Sequence, residues 1–475
     1  MKIRILMGTV FVMAACGVSA SQQISRDQFL RQVAKRLPRL KSAAQKTAAA
    51  RQDVRQNRSY LDPQFSVSTS YTWTTQHESA TVDDVQKGAL EVGVSQTDPL
   101  LGGVWSASVS GLFSRTTGTV KTTDPLTGTA SEDDYKTDRY APSLTIGASL
   151  PLLRNVFNSG NRALEMNSRL AEERQRLRER ITRYTTLANF EKIYFQLHYY
   201  RVVLDLIETA LKNAEATRVE HYRKYRDGMI DKDQYQTARS AVFRYRDLLA
   251  STRLSFRKIR AQLEPLGLRN IVPEKQEWHR RLRTAAVTPK KRPSYRRTLR
   301  GQSEYLAVTY SRGVHTAAVL NGLPDLSLDL SATYSSADNT WADAIDDIRH
   351  TRHSVSLNIA VPLGNTRADS EARRAAANAE AARHDLTAAR QEYRTEYDQR
   401  VHSLEAGAAR LENKQDYIQS LSLKYYEERK KYRRGQLSLS DLLRTRNSMI
   451  DERINAEQIR LQLISDAVDL YTLIR

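Results

Sequence analysis

The sequence predicts a mainly helical chain that also carries a transmembrane β-barrel portion. It is built as two repeats of helix, strands, long helix, turn and helix. Three observations lead there. Apolar residues recur at helical and heptad spacing over very long stretches without a break. Between them lie segments of about ten residues that alternate strictly, apolar on one face and Ser, Thr or Gly on the other. The pattern also recurs at a fixed offset. Gly435 follows Gly228 by 207 residues, and that shift carries Leu197, Leu204 and Leu211 onto Leu404, Leu411 and Ile418. It also carries Phe190 onto Tyr397 and Tyr225 onto Tyr432, while Arg218 meets Tyr425 and breaks the match. A shared heptad phase together with a shared turn argues for duplication.

The chain has 475 residues, with Lys plus Arg 74 against Asp plus Glu 54, a net charge of +20. At its start Lys2 and Arg4 precede an apolar run from Ile5 to Ala15, and Val18-Ser19-Ala20 offers small residues for cleavage. Residues 1–20 therefore read as a secretory signal peptide. Beyond them no run of about twenty apolar residues exists, so no transmembrane helix is expected. Cys16 is the only cysteine, which excludes an intrachain disulfide. The basic residues are interleaved with acids along helices, as on solvated helix faces. The exception is a dense basic cluster around Pro289 and Pro293. With no nucleic-acid-binding fold in sight, nucleic acid is not an expected partner.

The first repeat spans 21–266. Leu30, Val33, Leu37 and Leu40 make 25–61 a helix, with a kink expected at Pro38 and a stop at Asp62-Pro63. The strand region is 64–150. Phe65, Val67, Thr69, Tyr71 and Trp73 alternate with serines and Thr72, and three further segments alternate likewise, near 88–97, 103–114 and 144–150. Residues 76–87 and 116–140 read as long polar loops, and 98–103 as a short turn. Residues 162–227 are helical without interruption, about 65 residues or ~100 Å. A return helix ends at 266. Residues 267–300 form an irregular basic connector. The second repeat, 301–475, offers a helix over 294–320 ended by Gly322-Leu-Pro324, strands within 325–361, a long helix over 367–434, and a last helix to the C-terminus.

Both long helices end in the same way. Lys224-Tyr-Arg-Asp-Gly228 and Lys431-Tyr-Arg-Arg-Gly435 place glycine where a left-handed C-cap is needed. Asp231 with Gln234, and Ser438 with Asp441, have capping-box spacing for the next helix. Residues 227–231 and 434–438 are thus tight helical-hairpin tips.

These tips, the proline after each first helix, and Pro-Leu after each strand set (Pro151-Leu152, Pro362-Leu363) resemble the TolC-type outer-membrane efflux protein family. The resemblance covers nearly the whole mature chain. It rests on the order, spacing and duplication of the motifs rather than on any single one. It implies a homotrimer whose strands jointly close one barrel in outer-membrane lipid, and whose helices form a hollow barrel across the periplasm. It implies a conduit in a tripartite efflux or type I secretion system, with a periplasmic adaptor protein and an inner-membrane transporter as partners. Arg226, Gly228, Asp231, Arg433, Gly435 and Ser438 would form the adaptor-docking tips. The resemblance also implies four barrel strands per protomer, whereas the first repeat alone has four alternating segments. Four is the expectation, with the pair near 88–114 outside the barrel; six is the alternative.

The resemblance, aligned on Gly435, also implies that Asp441 and Arg444 lie at the channel entrance; they are three apart and so share a helix face. Trimerisation would turn each into a ring, with the arginine offsetting the acid. No metal spacing, nucleophile elbow or phosphate loop is present. The nine histidines are scattered, and those at 198, 221 and 402 read as solvated or interhelical. No cofactor, metal or enzymatic activity is expected. Met13-Ala14-Ala15-Cys16 faintly matches a lipidation box, but a first helix climbing ~55 Å from mid-periplasm leaves Cys16 too far from the bilayer, so cleavage after Ala20 is favoured. The competing reading is a periplasmic coiled-coil protein without a pore.

Overall fold

The computed structural model describes residues 22–75, 84–123, 130–268, 271–285, 292–346, 348 and 350–475. The signal peptide with Cys16, and Pro289, lie outside them. In chain order the elements are β1 (Gln22–Ile24), α1 (Arg26–Arg36), α2 (Pro38–Gln56), β2 (Gln64–Thr75), β3 (Asp84–Thr97), β4 (Val104–Thr123), β5 (Ala130–Pro151), α3 (Ser159–Arg226), α4 (Lys232–Leu263), β6 (Ile271–Pro273), α5 (Lys275–Ala285), α6 (Leu299–Asn321), β7 (Asp325–Ser335), α7 (Trp341–Asp346), β8 (His350–Ala360), α8 (Thr366–Arg433) and α9 (Leu439–Ile474). The chain divides into two compact units. Among the described residues no helix is long and apolar enough to cross a membrane.

One unit comprises Met1–Ala43, Glu179–Gly301 and Ala389–Arg475. Its core packs Phe29 and Val33 of α1, Tyr194 and Phe195 of α3, Leu263 at the end of α4, Trp278 of α5, and Ile464 and Val468 of α9. These are the apolar stripes that the heptad spacing marks. Among its described residues the connector read as irregular contains β6 and α5. β6 pairs in parallel with β1, Gln22 opposite Ile271 and Ile24 opposite Pro273. The wholly buried Tyr194 hydroxyl donates to the Ile24 carbonyl at 2.9 Å and accepts from the Glu274 amide at 3.1 Å. One phenol thus satisfies backbone groups on both sides of the short pair, so three-residue strands suffice. The first helix is not kinked but divided. Leu37 turns extended (φ −79°, ψ 116°), and Pro38 starts α2, where its missing N–H costs nothing. α2 ends at Gln56, short of the expected Leu61.

The other unit comprises Ala44–Arg178 and Gln302–Ala388. Its sheet has six strands in the order β2-β3-β4-β5-β7-β8, all neighbours antiparallel. This corrects the expectation of four. The pair near 88–114 does not lie outside the sheet, because β3 is hydrogen-bonded to β2 on one side and to β4 on the other, in a register that gathers most of the large apolar side chains on one face. Within the polar segments read as loops, the described residues 84–87, 116–123 and 130–140 are strand. β4 and β5 are 20 and 22 residues long, and Glu132, Asp133 and Asp134 pair with Lys121, Val120 and Thr119. The six-residue α7, not foreseen, follows β7. Trp341 covers Gly111 so closely that a Cβ there would lie 2.5 Å from the indole, and its ring meets Tyr140 at 5.2 Å.

The turn between β3 and β4 is held by Asp98, which accepts from the Leu100 and Leu101 amides at 2.8 and 2.6 Å. It nests against the junction of β5 and α3. Gly102 lies so near Asn158 that a Cβ would come within 2.6 Å of its nitrogen, and Arg162 donates to the Pro99 carbonyl at 2.9 Å. At that junction Asn155, Phe157 and Asn158 all have positive φ, of 63°, 50° and 60°. Non-glycine residues hold such backbone only under constraint from their surroundings. The inserted turn, packed on this segment, supplies that constraint.

Candidate functional site

Three surfaces could serve a channel: the sheet faces, the helical tips and the residues read as the entrance. On the sheet, the register aligns Phe65, Val94, Ala107 and Ile146 across four strands, and Val67, Val92, Val109 and Leu144 in the next row. Val355, Leu357 and Ile359 extend this face on β8. Most of the large side chains on this face are bare: Phe65 is 69% exposed, Trp73 64% and Val355 72%. On β4 the apolar positions run from Trp105 to Phe113, a length suited to crossing hydrocarbon. Above them Arg115 and Asp138 form a bidentate ion pair at 2.7 and 3.0 Å. Tyr71, Trp73, Phe113, Tyr140 and Trp341 sit near that upper limit, as interfacial aromatics do.

The opposite face is a ladder of hydroxyls. Ser110 meets Ser143 at 2.6 Å, Thr145 meets Thr333 at 3.1 Å, and Ser331 meets Ser354 at 2.7 Å. Asn358 donates to Asp329 on the same face. One side of the sheet thus suits lipid and the other suits water.

The tips have the predicted geometry. Gly228 has φ +71° and Gly435 φ +73°. Each closes its helix with the same two bonds. The Met229 amide donates to the Lys224 carbonyl at 2.7 Å and the Gly228 amide to Tyr225 at 3.1 Å. The Gln436 amide donates to Lys431 and the Gly435 amide to Tyr432, both at 3.0 Å. This is the Schellman arrangement, which satisfies carbonyls the helix end leaves open. α3 and α8, which these glycines end, are both 68 residues long. Arg226 is exposed and pairs with Asp227 at 3.0 Å, and Arg433 is exposed.

The two capping boxes differ. Ser438 caps α9, its hydroxyl accepting the Asp441 amide at 3.1 Å. Asp231 occupies the cap position of α4, but its side chain makes no capping bond, contrary to the expectation. Its exposed carboxylate is left to solvent, which competes for it with the helix amides.

Asp441 and Arg444 do meet. The guanidinium lies 3.3 Å from the carboxylate, which also accepts from Ser438 at 2.7 Å. Both side chains are substantially exposed. Of the histidines, His221 meets the Gln234 carbonyl at 3.1 Å and His402 lies 3.7 Å from Glu405. His198 is buried, its ring 4.8 Å from that of Trp278. Burial, with His279, Lys275 and Arg201 nearby, lowers its pKa to about 4. Among the described residues no group of three or more His, Cys, Asp or Glu could hold a metal ion. The sequence reading missed one feature, a cationic groove formed by Lys46, Arg174 and Arg178. The arginines' one-turn spacing was its only visible trace.

A sheet with one lipid-compatible face, one hydroxyl-lined face and two open edges is of the kind from which membrane β-barrels are built. Residues 315–474 match the family described as outer membrane efflux protein. The whole chain is similar in fold to solved outer-membrane channels. With CmeC of Campylobacter jejuni it shares 14% identity over 94% of this chain and 85% of that one, with a TM-score of 0.62. With VceC of Vibrio cholerae the figures are 14%, 94% and 94%, with 0.61. With MtrE of Neisseria gonorrhoeae they are 14%, 94% and 88%, with 0.58. No curated protein matches at a significant level. The TolC-type resemblance is thus borne out, as fold over nearly the whole chain and as a family match over residues 315–474.

Proposed function

We propose that the protein is the outer-membrane channel of a tripartite efflux or type I secretion system. Three copies close one barrel in the outer membrane, and the helices form the periplasmic part of the conduit. The observation that carries this reading is the pair of open edges. β2 and β8 are exposed along their whole lengths and, among the described residues, have no partner on their outer sides. In hydrocarbon an unpaired edge is not tolerated, because each bare amide and carbonyl costs several kcal/mol. Six strands are too few to close alone, since the smallest membrane barrels have about eight. Pairing β8 of one copy with β2 of the next keeps the whole ring antiparallel, and a ring of three closes with eighteen strands. A pore-free coiled-coil protein has no use for a sheet whose apolar face is bare.

In this reading the chain is a duplication, with repeats at 21–266 and 301–475 joined by 267–300. Arg226, Gly228, Asp231, Arg433, Gly435 and Ser438 lie at the tips that meet a periplasmic adaptor, and through it an inner-membrane transporter. Asp441 and Arg444 form rings at the entrance. The protein conducts its cargo passively and performs no chemistry on it.

Paired cysteines test the closure in a Cys16→Ser background. Ser68→Cys on β2 is combined in turn with Ser354→Cys and Ser356→Cys on β8. Oxidation of outer membranes should give covalent dimers and trimers for one register. Cross-linking of Ser354→Cys to Ser108→Cys on β4 instead would mean closure with four strands. A soluble monomer that cross-links in neither way would overturn the channel reading.

A further inference from the structure

The helical part of the sheet-bearing unit holds a groove that none of these roles uses. It has a volume of about 400 Å³ and lies between α2, α3 and α6. One face of α2 supplies Lys46 and Asp53, one face of α3 supplies Arg174, Gln175 and Arg178, and α6 supplies Tyr310. The groove continues into a second of about 710 Å³ that shares Ala50, Asp53, Ala171 and Tyr310 and is lined by α8 as well. Four helices that share one trough lined by Ala, Asn, Ser and charged residues do not enclose an apolar core. They curve around water.

The charge in this trough is unevenly placed. Arg51 of α2 pairs with Glu172 of α3 at 3.4 Å, while Gln56 and Asn57 lie near Leu164 and Asn167, so the two helices run antiparallel. Lys46 therefore falls level with Arg174 and Arg178, and Asp53 falls at the other end. Among the described residues none of these three cations forms a salt bridge. Arg174 and Arg178 stand one helical turn apart, a spacing at which like charges repel. The Nε of Arg174 is buried with no hydrogen-bond partner. Desolvation, and then Arg178, hold its pKa below the usual arginine value, against a weaker opposing pull from Glu304. An arginine with an unpartnered buried N–H lines this groove beside a second guanidinium and an ammonium, with the one lining carboxylate, Asp53, at the far end.

We propose that Lys46, Arg174 and Arg178 form a binding site for a water-soluble, phosphate-bearing solute. Guanidinium groups present parallel N–H donors that match phosphate oxygens two at a time, and lysine adds a point charge. Apart from its polar side chains the groove is lined by Ala49, Ala50, Ala171 and the Tyr310 ring, with no long aliphatic side chain for a phospholipid tail to lie on. Tyr310 offers a hydroxyl at the same site. In the proposed trimer the trough lies on the inner wall and is present three times. Such a site would concentrate multivalent anions in the conduit and mark the cargo as anionic. Only this placement on the inner wall rests on the channel reading; the binding itself does not.

Pyrophosphate is the probe. Calorimetric titration into the full-length protein in detergent, at low salt, should show binding that weakens as salt rises. Arg174→Gln with Arg178→Gln should weaken it by at least about tenfold. Arg174→Lys keeps the charge but loses the fork, and should weaken it by a smaller factor. Arg180→Gln, on the same helix and outside the groove, should leave it unchanged. Addition of pyrophosphate to channels in planar bilayers should reduce the current of the wild type and spare the double variant. If the wild type does not bind pyrophosphate, or the double variant binds it equally well, the site does not exist. If binding behaves as described but no conductance is seen, the site stands and the channel reading falls.

Discussion

Replacing Gly435 separates the conformation of a tip from its surface. At φ +73° a β-carbon here would meet nothing within 4 Å. The cost of a side chain is therefore torsional, about 1–2 kcal/mol for an ordinary L residue in the left-handed region. A β-branched side chain sits at the upper end, and asparagine, which tolerates this region, near the lower. The strain falls on the two bonds that close α8, from the Gly435 amide to Tyr432 and from the Gln436 amide to Lys431. Because 1.4 kcal/mol is a factor of ten, Gly435→Val should speed amide exchange in residues 431–436 by about 5- to 30-fold. Gly435→Asn should speed it only a few-fold. Exchange in the sheet should not change in either variant. Mass-spectrometric exchange on the purified protein reads all of this at peptide resolution. If valine and asparagine raise exchange equally, or neither does, the left-handed turn is not what holds the tip. If exchange follows the expected order but export is lost equally in both, the tip needs a bare surface as well as a bend.

Two further outcomes follow from single side chains. His198 is neutral in the fold with its pKa near 4 and titrates near 6.5 when unfolded. Its stabilising effect is therefore complete above pH 6.5 and is lost as pH falls from 6.5 towards 4, by up to about 3 kcal/mol; in His198→Gln, denaturant unfolding at pH 7.5 and 4.5 should differ less than in the wild type, and an equal loss would remove the histidine from the account. Arg444 lies 3.3 Å from Asp441, so Arg444→Asp replaces a compensated pair by two acids; reversal potentials in planar bilayers should shift towards cations and block by multivalent cations should increase, and an unchanged channel would take both residues out of the entrance.

The elements that were legible in the sequence are those whose two faces meet different surroundings. The long helices show heptads because one stripe is buried, and they end where glycine must turn left-handed. The strands 64–75 and 325–335 show alternation because one face is apolar. Where both faces meet water the signal vanishes. β4 beyond Arg115 and β5 before Asp138 are rich in Thr, Asp, Lys and Ser on both sides, and read as loop although they pair residue by residue. β1 and β6 are three residues each, too short for any period, and are held by a tyrosine about 170 positions away from the first of them. At Leu37 the proline was visible but not the outcome: nothing local decides between a kink and a break. The contact of Asp441 with Arg444 followed from spacing alone. The groove of Lys46, Arg174 and Arg178 did not, because it takes two helices more than a hundred residues apart to bring one lysine beside two arginines.

The inserted β3–β4 hairpin bears on how sheet and helices fit within one unit. Four helices side by side at about 9 Å span ~36 Å of wall per protomer. Four strands about 4.8 Å apart, tilted by ~40°, would cover only ~25 Å of the same perimeter, and matching the helices would need a tilt near ~58°. Six strands at the ordinary tilt cover ~37 Å. In the trimer the strand ring and the helix ring would then have nearly equal circumference without steep shear.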